Sequence, residues 1–342
     1  SIVVTYTVTA SFGTAPNVCT DTFTIAVTVN PEPSIADVVQ TICSGDTFTV
    51  TPTNTAPNVV PTGTTYTWTV AAGAGITGAS NQATGQTSIS QTLTNTTSTS
   101  LSAIYTVTAS AGTAPTICTD TFTITVTVNP NPSIADVTQT ICSGDTFTVT
   151  PTNTAPDVVP TGTTYTWTVT TPAGITGASN QVTAQTSISQ TLNNTTSSSI
   201  NVVYTVTASF GTAPTVCTDT FIITVTVNPN PSIANKTQTI CSGTTFTVTP
   251  SNTAPDVVPT GTTYTWSVAA PAGITGASDQ ATAQTSISQT LTNTTSTSLS
   301  AIYTVTASVG TAPNICTDTF DITVTVNPKP SIADVTQAIC TG

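Results

Sequence analysis

The chain has no histidine, no methionine and no arginine; its only cations are Lys236 and Lys329, set against fourteen acids. Binding nucleic acid by neutralising phosphates needs many Lys or Arg, so that class of partner is excluded, and attraction to anionic membranes is disfavoured for the same reason. The lack of histidine removes the usual general base of nucleophilic catalysis and the commonest zinc ligand. No apolar run approaches the roughly 20 residues of a membrane-spanning helix. Charged residues of both signs make up 5% of the sequence, so threonine and serine supply the polar surface.

What is present is periodic. Trp68, Trp167 and Trp266 stand 99 residues apart, and so do Cys19, Cys118, Cys217 and Cys316, and Cys43, Cys142, Cys241 and Cys340. The chain is a tandem array of one unit, repeated with few changes, and such arrays span distance or present many copies of a surface. A unit of this length closes its own core. Boundaries fall at Asn30-Pro31-Glu32-Pro33, Asn129-Pro130-Asn131-Pro132, Asn228-Pro229-Asn230-Pro231 and Asn327-Pro328-Lys329-Pro330. Proline restrains φ and cannot donate to a sheet, which makes these short, stiff joints. Complete units then run 31–129, 130–228 and 229–327, with the end of a unit at 1–30 and the start of another at 328–342. The expectation is a segment of a longer chain or filament, its units nearly end to end in an extended rod.

Within a unit the hydrophobic period is two. Phe48 and Val50 alternate with Thr47 and Thr49; Tyr66, Trp68 and Val70 alternate with Thr65, Thr67 and Thr69; Tyr105 and Val107 alternate with Thr106 and Thr108. One apolar and one hydroxyl-bearing face per strand is the pattern of an all-β, two-sheet sandwich. Turn signals at Ser44-Gly45-Asp46, Pro61-Thr62-Gly63, Gly75-Ile76-Thr77-Gly78 and Gly112-Thr113-Ala114-Pro115 separate about seven strands. These cover 35–42, 47–52, 64–71, 87–94, 101–110 and 121–129, with a short one near 75–84. The tryptophans read as core anchors between the sheets.

Candidate chemistry is thin. The acids shift between units, so no catalytic residue and no cofactor is assigned. For calcium, Asp37 and Asp46 are the candidates, yet their counterparts in the third unit are Asn235 and Thr244; no metal ligand is assigned. Asp21, Asp120, Asp219 and Asp318 persist and are expected to cap turns. Asn95, Asn194, Asn235 and Asn293 head Asn-x-Thr triplets that match a glycan acceptor pattern, and the Asp-Thr pairs at 120, 219 and 318 form a loose O-glycan motif.

Gln40-Thr41-Ile42, Gly45-Asp46-Thr47-Phe48, Tyr66-Thr67-Trp68, Tyr105-Thr106-Val107-Thr108 and Phe122-Thr123-Ile124-Thr125-Val126 resemble the PKD-like branch of immunoglobulin-like domains. The likeness extends to the repeats of very large secreted surface proteins of Bacteroidota, gliding-motility adhesins among them. That resemblance implies type IX export, a place on or beyond the outer membrane, and a structural role as the shaft of an adhesin or surface filament. Neighbouring repeats and other copies in a filament are the implied partners, with surface glycans met through a region outside this chain. The alternative is a repeated module that binds glycans or a protein surface through its loops; loops of Thr, Pro, Gly, Ala and Asn favour the shaft.

Two cysteines per unit at fixed positions suggest disulfides in an oxidising compartment. Three pairings compete: Cys43 with Cys118 inside a unit, Cys19 with Cys43 across the joint, or Cys43 with Cys217 of the following unit. The usual strand order places Cys43 and Cys118 toward opposite ends of the sandwich and brings Cys43 toward the next unit. Relatives in the resembling family carry both cysteines in each repeat, and a self-contained bridge is the simplest arrangement for a module that duplicates. The leading expectation is therefore Cys43–Cys118, Cys142–Cys217 and Cys241–Cys316.

Overall fold

The computed structural model describes residues 1–339; Cys340, one rung of the cysteine ladder, lies outside them. Among the described residues the regular structure is strand and turn, without helix. The chain opens on a hairpin of β1 (Ile2–Thr14) and β2 (Asn17–Val29). The first complete repeat then contributes β3 (Val38–Cys43), β4 (Thr47–Val50), β5 (Thr65–Ala72), β6 (Ile76–Thr77), β7 (Gln82–Gln86), β8 (Ile89–Thr92), β9 (Thr94–Asn95), β10 (Leu101–Thr113) and β11 (Thr116–Asn129). One sheet has the order β3-β11-β10-β5-β7; facing it are the pairs β4-β8 and β6-β9. β3 runs parallel to β11, with Val38 opposite Ile124 and Cys43 opposite Asn129, and the other pairings are antiparallel.

The alternating pattern decides which face turns inward. Phe48 and Val50 point into the core, as do Tyr66 and Trp68, Tyr105 and Val107, and Phe122 and Ile124. Phe48 packs on Tyr105 with ring centroids 5.0 Å apart, and Tyr66 meets the edge of Phe122 at 6.3 Å; such tilted and edge contacts suit the ring quadrupoles. Outside, the threonines form a hydroxyl ladder across strands: Thr47 bonds Thr92, and Thr49 bonds Ser90 at 2.8 Å. Threonine is thus both the β-branched residue a strand favours and the source of cross-strand polar pairs. At the core edge Gln91 collects the polar ends. Its Oε1 accepts from the Tyr105 hydroxyl (2.8 Å) and the Ser80 amide (3.0 Å), while the Trp68 indole donates to the Ser80 carbonyl (3.1 Å). Burial pushes the Tyr105 phenol up to about 12.

The hairpin of β10 and β11 is longer than the alternation suggests. It continues past Ser110 to a turn at Gly112, where φ is +100° and an added Cβ would lie 2.5 Å from the Thr116 carbonyl oxygen. Residues 116–120, read as loop, are strand, and Cys118 sits within it. Tyr6, the counterpart of Tyr105, is 55% exposed where Tyr105 is fully covered.

The later copies repeat this arrangement, with five-stranded sheets holding the strands Val137–Cys142 and Thr215–Asn228, and Lys236–Cys241 and Asn314–Asn327. The chain packs into two compact units. One unit comprises residues 1–134, 151–164 and 208–220; the other comprises 135–150, 165–207 and the chain from 221 onward. One unit holds the joints at 30–33 and 129–132, the other those at 228–231 and 327–330.

Candidate functional site

The joint is where side chains converge. Inside a repeat, the segment that follows the Pro-x-Pro is laced to the last strand by carboxylates. The Asp120 side chain accepts from the Ile35 amide (3.1 Å), and Asp37 accepts from the Thr123 amide (2.7 Å). Asp219 and Asp318 reach Ile134 and Ile233 in the same way, at 3.4 Å. In place of the turn caps expected at these positions, the aspartates lie on strands and reach a segment 85 residues away in sequence. The amide bond from Thr123 holds the Asp37 carboxyl below the usual carboxylate range. In the third repeat Asn235 takes the place of Asp37, and its side-chain oxygen accepts from the Asp321 amide at 2.9 Å. An acceptor is what this position requires, and an amide supplies one as well as a carboxylate does.

Asp46 has a related duty. It accepts from the Cys43 amide (3.2 Å), and Asp145 accepts from Cys142 (3.1 Å); in the third copy Thr244 instead donates to the Cys241 carbonyl at 2.7 Å. Asp37 and Asp46, the calcium candidates, thus serve different backbone amides. Among the described residues no three His, Cys, Asp or Glu gather as a metal site would require. Lys236, where the earlier copies have Val38 and Val137, pairs with Asp256 at 2.5 Å. Asp256 is little exposed. Burial pushes its carboxyl up, but the Lys236 ammonium and the Ala234 amide outweigh that, so the net shift is downward.

The joint between the first two repeats is closed by a bridge and a set of amide bonds. Cys43, at the end of β3, is joined to Cys217 of the following repeat, with Cα atoms 5.5 Å apart. Asn131 Nδ2 donates to the Ser44 carbonyl (3.0 Å), and Asn153 Nδ2 to Ser98 Oγ (2.8 Å). Thr215 Oγ1 donates to the Thr41 carbonyl at 3.1 Å. The next joint repeats the set: Cys142 with Cys316, Asn230 with the Ser143 carbonyl, and Asn252 with Ser197. Cys217 and Cys316 are each 2% exposed.

This corrects the expected pairing. Cys43–Cys118, Cys142–Cys217 and Cys241–Cys316 do not form; Cys118 and Cys241 are free thiols, as is Cys19. The physical reason is strand direction. β3 lies parallel to β11, so its end, Cys43, stands opposite Asn129 at one end of the strand while Cys118 stands near the other. Bridging needs Cα atoms within about 7 Å, and the β-hairpin tip of the next repeat supplies that partner.

The tryptophans Trp68, Trp167 and Trp266 are buried. Of the Asn-x-Thr residues, Asn95 is 6% exposed, and its Nδ2 already donates to the Thr99 and Val128 carbonyls; Asn194 and Asn293 do the same in their repeats. The amide a glycan would take is spent inside the fold at these three positions. Sequence reasoning missed Asn131, Asn153 and Ser98. The available signal was that the x of Asn-Pro-x-Pro is Asn at both joints between complete repeats, and Glu or Lys at the outer ones.

Among solved structures, the chain is similar to the I67–I69 I-band fragment of titin (12% identity, 87% of this chain and 97% of that one, TM-score 0.36). It is also similar to three N-terminal domains of the highly immunogenic outer capsid protein of bacteriophage RB49 (12% identity, 84% and 96%, TM-score 0.35). No curated protein matches the chain. The profile of the PKD-like domain matches residues 40–132, 139–231 and 238–330. Those spans cover most of the sequence, and the chain belongs to the PKD-like domain family.

Proposed function

We propose that these repeats are the shaft of a large extracellular adhesin or surface filament, extended as a rod and holding a distal adhesive region away from the cell. One observation carries this reading: the two joints between complete repeats are each built from a disulfide and a repeated set of side-chain hydrogen bonds. Such a joint restrains successive repeats, which a spacer needs and independent binding modules do not. Two disulfides and PKD-like repeats are features of extracellular domains. Placement on a bacterial surface, export by the type IX route and a part in gliding follow from the resemblance to Bacteroidota adhesins. The partners are neighbouring repeats and other copies in a fibre. Last strands of 14 residues measure about 45 Å, so each repeat advances the rod by about 40 Å.

Two measurements test this. Small-angle scattering from the 342-residue chain is expected to report an elongated particle, and a globular profile would overturn the rod. Deleting one 99-residue unit from the parent protein is expected to shorten the projection and leave ligand specificity intact. Lost specificity with normal export would favour the binding-module reading instead.

A further inference from the structure

Both bridges in this chain skip the same distance, 174 residues. Cys217, where the first bridge lands, is followed 24 residues later by Cys241, the same kind of residue as Cys43, where that bridge began. This segment is mostly strand, over Thr215–Asn228 and Lys236–Cys241, and no residue in it takes a positive φ. Following the polypeptide, residues 43 and 241 are 198 residues apart; through the bridge, only 24 residues separate them. Fully extended, those two routes measure about 690 Å and about 85 Å.

We infer that the chain is a tension member: a pull along the array is carried by the 24-residue segments and their disulfides, and the other three quarters of each repeat is bypassed. A second route, interleaved with the first, runs from Cys118 to Cys142 and across to Cys316. Each route advances two repeats for every 24 residues of chain. An unbridged sandwich that unfolds under force releases nearly its whole sequence as slack. Here the residues between Cys43 and Cys217, including the core strands β4, β5 and β8, lie off the shortest covalent path, so their unfolding lengthens nothing. The free thiols Cys118 and Cys241 belong to the same two classes as the bonded cysteines, so each presents the half of a bridge that a further repeat completes. The inference rests on the shaft reading for the tension itself; the path does not depend on it.

The test is force spectroscopy on the full chain carrying Cys19→Ser, Cys118→Ser and Cys340→Ser, held at the Ser1 amino terminus and at Cys241 through a thioether. With bridges intact the tether is expected to stop at the length of about 66 residues (Ser1 to Cys43, then Cys217 to Cys241), roughly 230 Å. With reductant it is expected to reach about 240 residues, roughly 840 Å; with Cys43→Ser the remaining Cys142–Cys316 bridge gives the shorter route of about 216 residues, roughly 760 Å. A non-reducing plateau at about 165 residues, the value for a Cys142–Cys217 bridge inside one repeat, or at about 216 residues and above, would overturn the inference. A 66-residue plateau with a globular scattering profile would keep the path and sink the shaft.

Discussion

Asn131 reaches back to its neighbour: its side-chain amide donates to the backbone carbonyl of Ser44, 87 residues earlier, at 3.0 Å. Ser44 adjoins the bridged Cys43, so the x of one Asn-Pro-x-Pro fastens the repeat before it. Replacing Asn131 with Asp puts a carboxylate against that carbonyl. The expected cost is about 1–2 kcal/mol in urea unfolding, and an unchanged midpoint would show that the bridge alone holds the joint.

Lys236 and Asp256 stand where the first repeat has Val38 and Asn58. Lys236→Val leaves the Asp256 carboxylate without its ammonium, at an expected cost of about 1–3 kcal/mol. Adding Asp256→Asn restores the first repeat's pair, whose Asn58 oxygen accepts from the Ala36 amide at 2.9 Å, and is expected to recover most of the loss. A double-mutant cycle with no coupling would refute this.

Asp37 gives a pH dependence of defined sign. Its carboxyl is held below the ordinary 3.8, chiefly by the hydrogen bond from the Thr123 amide. A depressed carboxylate stabilises the fold above its unfolded pKa, and that contribution is lost as pH falls through the folded value. Stability from Asp37 is thus expected to be full at pH 5 and to decline below about pH 4. Asp37→Asn, which copies Asn235, is expected to flatten that acid limb in urea titrations run between pH 5 and pH 2. A variant as acid-sensitive as the parent would rule it out.

Trp68 is buried, with its indole bonded to the Ser80 carbonyl. Trp68→Ala is expected to cost about 3–5 kcal/mol, measured as the denaturation midpoint. Free quenching of the native indoles by iodide would contradict their burial.

How much of this was legible depended on how locally it is fixed. The alternation of Phe48 and Val50 with threonine names the inward face of β4 without any knowledge of its partner, because strand side chains have a period of two. The sandwich followed from several such strands. The reach of the β10–β11 hairpin was not legible, since Gly112-Thr113-Ala114-Pro115 marks the turn but not how far the strands pair beneath it. Partners of Asp120 and Asp37 were hidden for a related reason: carboxylates beside a strand look like turn caps until the threading of residues 34–37 is known. The sulfur pairing was half legible: the usual strand order already set Cys43 apart from Cys118 and toward the next repeat, and the simplicity of a self-contained bridge outweighed it in the expectation. The pairing depends on which repeats touch, and ideal repeats look alike inside and across a boundary.

The joint is a head-to-tail contact, in which each repeat offers one kind of cysteine forward and the other backward, so every added repeat presents the same two ends as the one before it. Copy number is therefore a free variable. A gene that gains or loses one whole 99-residue unit by unequal exchange keeps every interior cysteine opposite its proper mate. A deletion that takes one cysteine of a unit without the other would leave its mate in the neighbouring repeat unpaired, so the bridges favour gain and loss by whole units.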